Sequence, residues 1–73
     1  MAATMVRGTV KRLLRQEGYG FICHTLTGED YFFHRSALER ADDWAEMEQD
    51  CPVEFSVQES PKGLRAMNVR LLD

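Results

Sequence analysis

The sequence is poor in the features that usually announce a chemistry. It holds two cysteines and two histidines, too few for a disulfide framework, and no second Cys or His pair stands at ligand spacing. Cys23 and His24 are adjacent, so on a strand they point to opposite faces and would not easily share one metal ion. No metal and no cofactor are expected. No apolar run approaches the roughly 20 residues that span a bilayer. The segment Met1 to Arg7 has neither a charged n-region nor a continuous apolar stretch, which predicts no secretory leader and a cytoplasmic protein with reduced thiols. Ser/His/Asp sets, paired carboxylates and phosphate-cradling glycine loops are all missing, so the chain reads as a non-enzyme. At 73 residues it is read as one domain, 1–73. So short a chain buries only about 60% of its unfolded surface, which leaves little scaffold for an enclosed pocket of about 300–1,000 Å³. An exposed binding face is easier to build.

Net positive charge is also lacking: the formal charge is −3. Its distribution matters more than its sum. Residues 1–24 carry four cations (Arg7, Lys11, Arg12, Arg15) against Glu17, and residues 61–73 carry Lys62, Arg65 and Arg70 against Asp73. The ten acids of residues 25–60 face only Arg35 and Arg40. One face can be positive if the two ends meet in space.

What is present is β-like punctuation. Gly8, Gly18, Gly20, Gly28, Pro52, Pro61 and Gly63 separate short segments rich in β-branched and aromatic residues. Strands are predicted near 5–13, 18–24, 30–35, 51–59 and 64–72, with residues 25–29 turning the second into the third. Ser36 and Glu39 have the spacing of a capping box for a short helix. The acidic stretch from Asp42 to Asp50 reads as a long loop closing a barrel end, with a helix over 43–49 as the alternative.

The informative stretch is Glu17-Gly18-Tyr19-Gly20-Phe21-Ile22 followed by Asp30-Tyr31-Phe32-Phe33-His34-Arg35-Ser36. Strand alternation puts Tyr19 and Phe21 on one face, and Phe32 and His34 on one face of the next strand. If Ile22, Tyr31 and Phe33 pack inward, those four rings cluster outside, with Gly18 and Gly20 expected to leave open sheet beside them. Flat exposed rings suit unpaired bases, each stacking contact contributing about 1–3 kcal/mol. Packing alone also favours aromatics in strands, and spacing does not separate the two readings. Trp44, set among Asp42, Asp43, Glu46 and Glu48, could stack on a base or cover the barrel end.

These residues resemble a known family. Val6-Arg7-Gly8-Thr9-Val10-Lys11, Gly18-Tyr19-Gly20-Phe21-Ile22, Phe32-Phe33-His34-Arg35-Ser36-Ala37-Leu38 and Lys62-Gly63-Leu64-Arg65-Ala66-Met67-Asn68-Val69 look like the bacterial cold-shock domain over nearly the whole chain. The resemblance implies an all-β fold, a five-stranded antiparallel OB-type barrel, that binds single-stranded RNA and DNA through RNP1-like and RNP2-like strands. By the same resemblance Tyr19, Phe21, Phe32, His34 and Trp44 match stacking positions and Lys11 a basic position beside them. It further implies RNA chaperoning or regulation of transcription and translation, without a membrane or small-molecule partner. A monomer is favoured.

Departures from the family pattern define what is particular to this chain. Arg12-Leu13 stand where Trp-Phe is usual, Glu17 where Lys is usual, Arg35 where an aromatic commonly follows the histidine, and Gly63-Leu64-Arg65 replaces Gly-Pro-Gln. Aromatics are lost while guanidinium groups are gained, and these can stack on bases or pair with phosphates. Lys11, Arg12, Arg35, Lys62 and Arg65 are therefore the expected phosphate or guanidinium contacts. The predicted binding is weaker and more salt-sensitive than a typical member's. The competing reading is a diverged module whose exposed aromatics and acidic loop engage a protein partner.

Overall fold

The computed structural model describes residues 5–72; the rest of the expected 1–73 domain, including Met1 to Thr4 of the leader reading, lies outside the described residues. Five strands form: β1 (Met5–Leu14), β2 (Tyr19–His24), β3 (Asp30–His34), β4 (Pro52–Ser60) and β5 (Gly63–Leu71). They close into a barrel in the order β1-β2-β3-β5-β4, with β4 returning to β1. Every pairing is antiparallel except β3 with β5, which meet in parallel at Phe32 and Arg65 and complete the barrel.

One strand serves two neighbours because it bends. β1 pairs with β4 over Met5 to Thr9 and with β2 over Gly8 to Leu14, and its register slips between Val10 and Arg12. The bulge at Lys11 adds a residue to β1 only, which increases local twist and turns the strand around the barrel. A second slip lies on β5, where Asn68 takes a left-handed φ of 53° and its side-chain amide donates to Ser56 Oγ at 3.1 Å. Asparagine tolerates that conformation better than most residues. The slip lets Ala66 and Val69, three positions apart, both face inward.

The interior is filled by Val10, Ile22, Phe33, Met47, Val53, Phe55 and Val69, all fully buried, with Tyr31, Ala37, Leu38 and Ala66 beside them. Gly20 also faces inward, which corrects the expectation that it opens the outer face. A Cβ there would lie 2.5 Å from the Arg12 carbonyl oxygen and 3.0 Å from the Phe33 ring, so its bare backbone makes room for the core.

The connection from β3 to β4 differs from the capping-box expectation. A 3₁₀ turn at Arg35–Ala37 starts two residues early, capped by His34, whose ring accepts from the Ser36 N–H at 3.1 Å. Leu38 is already extended because it bridges to Val69 of β5, where the Glu39 N–H donates to the Val69 carbonyl at 2.9 Å. No helix can then grow from Ser36. Farther on, the loop reading needs one amendment: a single helical turn, α1 (Asp43–Glu46), forms and stops at extended Met47. Met47 is drawn out of helical geometry by burial in the core.

Candidate nucleic-acid interface

Alternation on β2 and β3, with Ile22, Tyr31 and Phe33 buried, places Tyr19, Phe21, Phe32 and His34 on the outer side. The register sets Tyr19 opposite His34 and Phe21 opposite Phe32. Ring centroids lie 5.3 Å apart for Tyr19–Phe32, 6.0 Å for Phe21–Phe32 and 6.1 Å for Tyr19–Phe21. All four side chains are half-buried. Tyr19, Phe21 and Phe32 form a continuous aromatic surface held by mutual edge and tilted contacts, which fix the rings before any ligand arrives, and His34 lies beside them across from Tyr19. His34 Nδ1 accepts from the Ser36 N–H and lies 2.9 Å from Ser36 Oγ. Accepting at Nδ1 puts the proton of the neutral ring on Nε2, which orients the imidazole plane.

Cations flank the rings on three sides. Arg12 sits opposite Phe21 and Leu14 opposite Tyr19, so both share the outer face. Leu13 packs on the core and does not belong to the platform. The Arg35 stem lies 3.5 Å from where a Gly18 Cβ would stand. On β5 the Arg65 guanidinium lies 5.4 Å from the Phe32 ring centroid, a cation–π contact. Lys62 and Arg65 line an open depression of about 640 Å³ beside Phe32. Glu17 is exposed in the β1–β2 turn.

Lys11 is occupied. Its ammonium donates to Asp30 Oδ2 at 2.9 Å, and this hydrogen bond with the carboxylate charge raises its pKa above the ordinary lysine value. Asp30 shares the parity of Phe32 and His34, so a carboxylate stands at the platform's edge. No local pattern signals that pairing, because the two residues are 19 positions apart.

Trp44 is half-buried over the barrel end, edge-on to Phe33 at 6.2 Å and 72°. Arg15, absent from the expected site, holds it there: its guanidinium donates to the Trp44 carbonyl at 2.6 Å and to the Met47 carbonyl, and lies 6.0 Å from the indole centroid. The indole also lines a small depression with Arg35, Ser36 and Ala41, which links it to the His34 end of the platform. Cys23 and His24 do point to opposite faces, Cys23 half-exposed and His24 buried. His24 has a structural task, its Nδ1 accepting from the Leu26 and Thr27 N–H groups at 3.1 and 3.4 Å to close the β2–β3 turn.

Known proteins share the sequence pattern and the fold of this chain. The profile of the "Cold-shock" DNA-binding domain matches residues 6–72. The chain is 44% identical to a cold shock-like protein CspA of Stigmatella aurantiaca over 66 residues, 90% of this chain and 96% of that one. It is 41% identical to the major cold shock protein of Micrococcus luteus over 68 residues, 93% of this chain and all of that one. Among solved structures, Drosophila Unr CSD456 superposes with a TM-score of 0.77 at 25% identity, covering 99% of this chain and 28% of that one.

Proposed function

The chain belongs to the cold-shock domain family, whose members bind nucleic acids, and from that premise we propose that it binds single-stranded RNA and DNA on the β2–β3 aromatic face. The observation that carries the reading is four half-buried rings on the outer side of strands whose other side is fully packed. Rings needed only for the core would not be paired Tyr19–His34 and Phe21–Phe32 across that face. Bases stack on Tyr19, Phe21, Phe32 and His34, and on Trp44 beyond them, while Arg12, Arg35, Lys62 and Arg65 meet phosphates or stack their planes. Lys11 joins them when it leaves Asp30. Stacking of this kind favours unpaired strands over duplex, with a footprint of about 4–16 nucleotides. The domain, residues 1–73, acts as a non-catalytic RNA chaperone, keeping transcripts unpaired in the cytoplasm.

The test is anisotropy of labelled oligo-dT and of a mixed RNA at two salt concentrations. Saturable binding with a negative salt slope is expected, weakened at least about tenfold by either Phe21→Ala or Phe32→Ala and abolished by both, with the fold intact by circular dichroism. A folded domain that binds no oligonucleotide at low salt would sink the proposal and turn attention to a protein partner.

A further inference from the structure

The β5 rim of the platform carries a cation set directly on an aromatic ring. Arg65 is half-buried and faces Phe32 across the parallel β3–β5 pairing. Three other basic groups are taken up by the protein: Lys11 by Asp30, Arg70 by Glu54 and Arg15 by two carbonyls. Among the described residues no hydrogen bond or ion pair engages the Arg65 guanidinium. A guanidinium held beside a ring keeps its planar N–H fork unpaired and available at the ring's edge.

That edge borders the 640 Å³ depression, whose lining offers Lys62 and Arg65 as cations, Leu64 and Pro61 as apolar surface, and no carboxylate. The turn beneath is fixed, because Ser60 Oγ donates to the Gly63 carbonyl at 2.7 Å and Gly63 takes a φ of +124° open to glycine. The space is large enough for a purine beside an apolar wall.

Resting on the single-strand reading above, we propose that this depression is a guanine-selective subsite and that Arg65 determines its specificity. The Arg65 fork donates to O6 and N7 of a guanine lying against Leu64, and Lys62 meets the adjoining phosphate. Guanine alone presents two acceptors side by side on that edge. Adenine places its N6 donor against the fork, and thymine offers a single carbonyl. This chain therefore reads one base on a face that otherwise tolerates any.

The test compares a short oligo-dT with the same strand carrying one central dG, one dA or one 7-deazaguanine, by competition anisotropy against the wild-type protein. The dG strand is expected to bind on the order of tenfold tighter than oligo-dT or the dA strand. Replacing N7 should remove most of that gain without any change to the protein. Arg65→Met, which keeps an unbranched stem on Phe32, should bring the dG and dT affinities to within about twofold of each other. Equal wild-type affinity for dG and dT strands would overturn the inference while leaving the single-strand reading intact. So would an Arg65→Met variant that weakens both strands by one factor and lowers the salt slope by about 1, the mark of a phosphate contact alone. Failure of every strand to bind would overturn both.

Discussion

Lys11 shows how one contact changes what a residue can do. It occupies the basic position expected from the sequence, yet Asp30 holds it. Both side chains are exposed, at 59% and 44%, so solvent screening makes the pair weak and a phosphate can compete for the lysine. Asp30→Asn should therefore tighten oligonucleotide binding by about two- to fivefold at low salt and steepen the salt slope by about 1. An unchanged affinity in the anisotropy titration would mean Lys11 does not reach the strand. Tyr31 gives a pH signature of folding. Its burial, and the Glu29 carboxylate next in effect, push the phenol above its ordinary value. The folded state then keeps a proton that the unfolded chain releases at about pH 10. Stability should be full below that pH and fall as pH rises through the folded pKa. Urea midpoints measured upward from pH 9 should decline less in Tyr31→Phe than in wild type.

Between residue and barrel, the element that decides the site's edge is the β3–β4 connection. Its nine-residue acidic stretch, legible from Asp42 to Asp50, suggests a solvated loop. The connection instead inserts Met47 into the core and lays Trp44 on Phe33, with Arg15 of the β1–β2 turn fastening both backbones. Arg15→Ala should loosen this cover: Trp44 emission should shift red, and urea denaturation should show a loss of about 1–2 kcal/mol. If Trp44 stacks on a base, the same variant should weaken binding without altering the salt slope by more than the one charge removed. The strands themselves were legible to within one or two residues, because glycine and proline punctuation and alternation are local signals. Their bulges were not. The Lys11 slip sends Arg12 and Leu14 outward and Leu13 inward, and only pairing with β2 reveals that parity.

At the scale of the molecule, the barrel separates core rings from platform rings on the same two strands. Phe33 has no exposed surface and supports both Trp44 and the Gly20 crossing. Phe33→Ala should cost about 3–5 kcal/mol. Domains of this size have a total of only about 5–15 kcal/mol or less, so most of the population should unfold on mild heating, with loss of the β signal by circular dichroism. Phe32→Ala, one residue away, should melt within a few degrees of wild type and lose binding instead. The contrast checks the two-sided sheet directly. Charge follows the same geometry: the basic segments meet because β1 lies beside β2, and β5 lies beside β3, so Arg12 and Arg65 flank one surface although 53 positions separate them in the chain.

The sequence by itself determined the number and approximate bounds of the strands, and that Tyr19 with Phe21, and Phe32 with His34, share a face opposite to Ile22, Tyr31 and Phe33. Each follows from residue type and a period of two, properties of neighbouring positions. Only the tertiary structure decided which cations are free, since Lys11 with Asp30, Arg15 with Trp44 and Arg65 with Phe32 are contacts between distant strands and loops. It also decided that Gly20 serves the core and that a helix fails at Ser36, because pairing of Leu38 with Val69 outweighs the local capping preference. Local pattern sets what each segment can become, and barrel closure sets which side chains remain available to a ligand.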